Sequence, residues 1–170
     1  MVNKAEFDIK MTIRDMYRFN LYHAYHNSQG ILSIVLAIMI CAIAVLTWGD
    51  IDMAYSVLYL FFAGVLLLYI PVTLRGKSKL QVEKSPVFKQ PLHYVIDEQG
   101  ITTSQGDASA TMPWKQVYKL VSTKHAILVY GSRIRANVIP RDQIGEHYSV
   151  IFQLAKEHMD GNRMLMKEKK

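Results

Sequence analysis

The sequence predicts an α+β membrane protein, in which a two-helix transmembrane hairpin carries a small antiparallel β-domain closed by a C-terminal helix. Three observations predict it. Two long apolar runs follow one another between residues 31 and 74, and the only charges there are Asp50 and Asp52 in the connection. Lys and Arg crowd both flanks of those runs. From about residue 92 the pattern changes to short apolar stretches punctuated by glycine and proline, and helical periodicity returns only near the end. With 170 residues the chain has room for about one domain beside the membrane segment.

The first expected element is a strand over residues 5–11, Ala-Glu-Phe-Asp-Ile-Lys-Met, where apolar and polar positions alternate. Thr12 and Asp15 follow at Thr-x-x-Asp spacing, a variant of the capping box that starts a helix. That helix is expected to reach about Asn27, with Met16, Phe19, Tyr22 and His23 on one face. Residues 1–30 are polar and charged, unlike a signal peptide, so both later apolar runs are read as retained.

The first run, residues 31–48, is uncharged. Its eighteen residues at about 1.5 Å each give roughly 27 Å, close to the hydrocarbon thickness of a bilayer. The second, residues 53–74, is somewhat longer and contains Pro71 near its end. Trp48, Tyr55, Tyr59 and Tyr69 fall near the expected interfaces, where amphipathic rings prefer to sit. The connection Gly49-Asp50-Ile51-Asp52 has no Lys or Arg, whereas Lys10, Arg14 and Arg18 precede the runs and Arg75, Lys77, Lys79, Lys84 and Lys89 follow them. The positive-inside rule then predicts a multi-pass protein of the cytoplasmic membrane with both termini in the cytoplasm. Ala63 and Gly64, against Ala37, Ala42 and Ala44, predict close helix approach, and such faces suit a protein partner or a second copy.

Residues 75–91 read as a basic linker in which Arg75, Lys77, Lys79, Lys84 and Lys89 are candidate contacts for lipid headgroups; each basic residue near an anionic surface is worth roughly 1 kcal/mol. Orientation alone would also explain them. Much of the net charge of +6 sits at the ends of the apolar runs, so membrane lipids are the expected partner and nucleic acid is not. The single cysteine, Cys41, excludes an internal disulfide.

Beyond the linker the reading is strand 93–96, turn 97–100, strand 101–104, turn 106–107 and strand 108–113, an antiparallel meander. Residues 114–121 begin as a loop and become a strand, and strands 126–130 and 136–140 follow with Gly131 at the turn. Asp142 is expected to cap a final helix over residues 143–158, with Ile144, Tyr148, Ile151, Phe152, Leu154 and Ala155 on one side. Gly161 would stop it and leave a frayed basic tail, residues 161–170.

Tyr94-Val-Ile-Asp-Glu-Gln-Gly-Ile101, Met112-Pro-Trp-Lys-Gln-Val-Tyr-Lys119, Ala126-Ile-Leu-Val-Tyr130 and Val138-Ile-Pro-Arg141, in this order behind a two-run hairpin, resemble the YcxB-like family of bacterial membrane proteins. Phe19-Asn-Leu-Tyr-His23 is similar to that family's stretch before its first span. The resemblance implies a pleckstrin-homology-like domain, a bent antiparallel sheet closed by a helix, and it transfers no catalytic residue. Gly100, Trp114 and Pro140 are read as structural: glycine for a positive φ, tryptophan for a small core, proline for the end of a strand.

No catalytic constellation is legible. His23 and His26 could share a helix face, but no third metal ligand stands at suitable spacing, so paired interfacial histidines are expected. Glu146-His147 and Glu157-His158 are adjacent in sequence and would diverge on a helix. Gly76-Lys77-Ser78 lacks the upstream glycine of a phosphate loop. Neither apolar run has an ionisable group at mid-depth that would suggest a proton path. The expectation is a non-enzymatic binding or regulatory module tethered to the membrane, without metal or cofactor. The alternatives are an accessory subunit of a transporter or membrane enzyme, and immunity-type protection against a membrane-active peptide.

Overall fold

The computed structural model describes residues 4–26 and 28–168. Asn27, the expected end of the first helix, lies outside the described residues. The elements are β1 (Ala5–Ile9), α1 (Ile13–His26), α2 (Ser28–Leu46), α3 (Met53–Lys84), β2 (Leu92–Ile96), β3 (Gly100–Gln105), β4 (Ala108–Pro113), β5 (Lys119–Ser122), β6 (Ala126–Tyr130), β7 (Ala136–Pro140), α4 (His147–His158) and β8 (Met164–Leu165). They fall into two compact units, one formed by residues up to 16 together with those from 81 onward, the other by residues 17–80.

The first unit holds all the strands. One sheet has the order β1-β2-β3-β4, antiparallel throughout. β1 earns its place by alternation: Ala5, Phe7 and Ile9 are buried while Glu6 and Asp8 face out. Asp8 stands opposite His93 in the register and accepts from its ring at 2.8 Å, so the polar face also favours this pairing. The meander β2-β3-β4 follows the expected turns. Asp97 Oδ1 accepts from the amides of Gln99 (2.9 Å) and Gly100 (3.3 Å), and Gly106 begins the two-residue β3–β4 connection at φ +57°.

The second sheet runs β7-β6-β5-β8. A single bent sheet was the expectation; the strands instead divide into two four-stranded sheets, and the last strand is parallel to β5. Their inner faces share one core with α4, in which Tyr94, Ile96, Leu120, Ile127, Ile139, Tyr148 and Ile151 are almost completely buried.

Three further expectations are corrected. Asp142 does not cap α4, which begins at His147; Gly145 at φ +50° breaks the helical path between them, and Asp142 pairs with Arg14 at 3.5 Å. The tail, expected to fray over residues 161–170, is tied down as far as Lys167, and Lys169 and Lys170 lie outside the described residues. Met164–Leu165 pair with Leu120–Val121, the Leu120 amide donates to the Arg163 carbonyl at 2.8 Å, and the Tyr148 hydroxyl donates to the Lys167 carbonyl at 2.6 Å. Met166 is buried in the core. Residues 75–91, expected as a basic linker, are largely helical: α3 continues to Lys84 and a 3-10 turn at Pro86–Phe88 precedes β2.

α1 starts as the Thr12–Asp15 spacing predicts. The Asp15 amide donates to Thr12 Oγ1 at 3.2 Å, and the Asp15 carboxylate accepts from both the amide and the hydroxyl of Thr12.

The second unit is helical. α2 and α3 are joined by residues 47–52, and Ser33 Oγ donates to the Leu66 carbonyl at 2.7 Å. Ala37 and Ala44 on α2, and Ser56 and Ala63 on α3, are buried. Their seven-residue spacing is that of a close helix seam. Gly64 and Ala42, also expected there, lie outside it: Gly64 faces open space and Ala42 is exposed. Asn20 Nδ2 on α1 donates to Ser78 Oγ on α3 at 2.8 Å, and Ser78, fully buried, donates to the Leu74 carbonyl. α3 is long and apolar enough to cross a membrane; α1 and α2 meet that description only as a pair, with a 68° bend between them.

Candidate functional site

The basic residues after the second apolar run stand mostly on the C-terminal part of α3. Arg75, Lys77, Lys79 and Lys84 are helical, Lys89 follows the 3-10 turn, and all five are exposed. At about 100° per residue, Arg75 and Lys79 point to one side of α3 while Lys77 and Lys84 point to the other. Arg75, Lys77 and Lys79 therefore form a collar around the helix and not a one-sided patch, while Lys84 and Lys89 belong to the strand-bearing unit. The collar begins one residue after Leu74, and Lys84 lies about 15 Å further along the axis.

The residues read as structural are tied to particular contacts. Gly100 adopts φ +150°, and a Cβ there would collide with the Met112 carbonyl oxygen across the β3–β4 pair. Trp114 is buried, donates from Nε1 to the Asp97 carbonyl at 2.8 Å, and stacks on His158 with ring centroids 6.0 Å apart. It therefore ties the β2–β3 turn and the end of α4 to the corner between the sheets. Pro140 ends β7, an edge strand that among the described residues pairs only with β6, so no ladder bond is lost to the missing N–H.

His23 and His26 are held by their own helix. His23 meets Phe19 edge-on at 4.7 Å, His26 stacks on Tyr22 at 3.8 Å, and His26 Nδ1 lies 3.0 Å from the Tyr22 carbonyl. Among the described residues no group of three His, Cys, Asp or Glu side chains could hold a metal ion. Glu146 and His147 stand at the entry to α4, and Glu157 and His158 at its exit. The phenol of Tyr94 is pushed up to about 12 by burial, against a smaller opposing hydrogen bond from Thr103, and the ring stacks on Phe7 inside the core. It is a packing residue, sealed from substrate.

The strand-bearing unit carries cavities lined by described residues. One, of about 620 Å³, lies where Met112 meets the β6–β7 connection, with Ser132, Ile134 and Arg135 on its walls. A second, of about 520 Å³, is bounded by Lys115, Tyr118 and Lys119 on one side and by Asn162, Arg163 and Leu165 of the tail on the other. The sequence reading missed the second because its two walls are more than forty residues apart in the chain. The signal that was present is the polar phase of Trp114-Lys-Gln-Val-Tyr-Lys119, whose apolar phase goes to the core.

Residues 96–148 match the family model described as YcxB-like protein, a segment that runs from the end of β2 into α4 and includes the Trp114–Lys119 stretch. No curated protein and no solved structure matches the chain.

Proposed function

With a YcxB-like domain at residues 96–148 as the starting point, we propose that the chain is a non-enzymatic binding or regulatory module held at the cytoplasmic face of a bacterial membrane by a two-pass helical hairpin, with both termini in the cytoplasm. The observation that carries this reading is the surface of α3. Only 6 % of its apolar 18-residue window is buried within the chain, and Phe61, Leu68 and Tyr69 are each more than three-fifths exposed. A soluble core helix would hide such residues, and an unpartnered apolar surface of this size needs lipid or protein to cover it. From Met53 to Leu74 the helix measures about 33 Å, a bilayer's hydrocarbon thickness, and the basic collar begins where that length ends. In this reading α2 makes the other pass, Asp50 and Asp52 lie outside, and the collar meets anionic headgroups. Arg75, Lys77 and Lys79 contribute most, because Lys84, about 15 Å beyond, exceeds the screening length of about 8 Å at physiological salt.

The packing of α4 against largely antiparallel strands is the feature that a pleckstrin-homology-like reading of the domain draws on. The alternative of an accessory subunit draws on Gly64. Its open notch, lined by Leu60, Phe61, Val65 and Leu68, would admit a helix of a partner or of a second copy.

The test is membrane topology in intact cells. In a Cys41→Ala background, single cysteines replace Asp50 in the connection and Ser149 on the exposed face of α4. A membrane-impermeant maleimide applied from outside is expected to label position 50 and to spare position 149 until the cells are lysed. Labelling of position 149 in intact cells, or recovery of the chain in the soluble fraction after an alkaline wash, would overturn the reading.

A further inference from the structure

We propose that the cavity between the Trp114–Lys119 segment and the tail is a binding site for a phosphate monoester. The segment divides its residues cleanly. Trp114, Val117 and Leu120 are buried, while Lys115, Gln116 and Tyr118 are exposed and Lys119 is half-buried, lining the cavity. Folding of this corner accounts for the inward three and leaves the outward four unexplained.

The opposite wall is Asn162, Arg163 and Leu165, fixed by the short parallel pairing of β8 on β5. Arg163 binds the two walls together. One guanidinium nitrogen donates to the carbonyls of Lys115 (3.4 Å) and Val117 (3.1 Å), and the other lies 3.4 Å from Asp160. Its Nε is buried and makes no hydrogen bond. The cavity is thus held open by a brace and is not a gap between loose side chains.

Its charge is unbalanced. Lys115 and Lys119 have no carboxylate partner among the described residues, and the nearby Asp160 is engaged by Arg163. Lys115, Lys119 and Arg163 line the cavity, and Asp160 offsets only Arg163, which leaves an excess of two positive charges, the charge of a phosphate monoester near neutral pH. Gln116 and Asn162 add amide donors. Tyr118 and Leu165, each nearly half exposed, supply an apolar flank for the organic part of the ester. The volume of about 520 Å³ lies within the usual range for small-ligand pockets. A phosphatidic-acid-type headgroup and a soluble phosphate ester share this chemistry. The proposal deepens the reading of the domain as a binding module and is independent of whether the chain crosses a membrane.

The test uses the full chain in non-ionic detergent, titrated by calorimetry with phenyl phosphate and, separately, with short-chain phosphatidic acid and short-chain phosphatidylcholine in the micelle. The chain is expected to bind phenyl phosphate or phosphatidic acid but not phosphatidylcholine, with affinity falling as salt rises. Charge-assisted hydrogen bonds to two ammonium groups predict that Lys115→Gln/Lys119→Gln weakens binding by about a hundredfold. Both side chains project outward, so the double variant should keep the parent's urea midpoint, which is measured alongside. Binding of phosphatidic acid alone assigns a lipid ligand, and binding of phenyl phosphate assigns a soluble one. Failure of both anions to bind, or equal binding by the double variant, overturns the site. Phosphate binding by a chain whose position 149 is labelled from outside would keep the site and overturn the membrane reading instead.

Discussion

Replacing Met166 by alanine tests whether the tail is part of the folded core. Met166 is 9 % exposed and belongs to the same buried cluster as Tyr148, Leu154 and Met159. The substitution removes three heavy atoms beyond Cβ. At about 0.8 kcal/mol per buried methylene equivalent this is about 2.4 kcal/mol of transfer free energy, and an unfilled cavity raises it to about 3 kcal/mol. Trp114, buried in the same cluster, is the natural fluorescent reporter once the exposed Trp48 is replaced by phenylalanine. With a urea slope of about 2 kcal/mol per M, the midpoint of the Trp114 transition in detergent is expected to fall by about 1.5 M. The neighbouring Leu165→Ala, at a position 46 % exposed, should lower it by less than half as much. A Met166→Ala midpoint within about 0.3 M of the parent, or equal shifts for the two variants, would refute the claim that the tail is packed against the domain.

Two further outcomes follow from the strand-bearing unit. Gly100→Ala should destabilise by about 3 kcal/mol or more, because the left-handed φ is compounded by collision with the Met112 carbonyl; Gly106→Ala, at φ +57° with open space around it, should cost only about 1–2 kcal/mol, and the same urea midpoints compare them. Burial raises the folded pKa of Tyr94 to about 12, above the unfolded value near 10, so its contribution is intact below pH 10 and is lost as pH rises toward 12. The drop, of about 2–3 kcal/mol, should be missing from the difference between parent and Tyr94→Phe unfolding curves measured at pH 9 and recovered in that difference at pH 11.5.

What was legible in the sequence was local. The Thr12–Asp15 box, the turn at Gly100 and the glycine between β3 and β4 each work through residues within a few positions of one another, and each appears where its spacing puts it. Hydropathy marked where apolarity stops, at Leu74, and that is a different boundary from the end of the helix. Pro71 removes one backbone donor, yet α3 passes through it, and Thr73 Oγ1 bonds back to the Tyr69 carbonyl at 2.6 Å within the same turn. The start of α4 was misplaced because Asp142 has the composition of a cap, while Gly145, three residues later, takes a conformation that no continuing helix permits. The tail was missed for a different reason. Met164 and Leu165 make a strand only because Leu120 and Val121 lie beside them, and a two-residue parallel pairing with partners over forty residues away leaves no periodic trace. The cavity at Lys115 and Lys119 depends on that same pairing and was hidden with it.

The pairing of Ile9 with Leu92 places β1 at the far end of a chain interval that contains both long helices. During synthesis the strand leaves the ribosome first and then waits for its neighbour. At about 5–20 residues per second, residues 10–92 take roughly 4–16 s to make. The helices form far faster than that, so the order of assembly is helices first and sheet last. The β-domain is thus completed only after the helical insert has been made, and a defect in the helices would be seen first as an unpaired β2 edge, a surface open to aggregation. The same arrangement dictates how a fragment should be cut. A piece starting at Leu92 exposes that edge, whereas one that splices residues 4–16 to residues 81–168 through a short linker restores it.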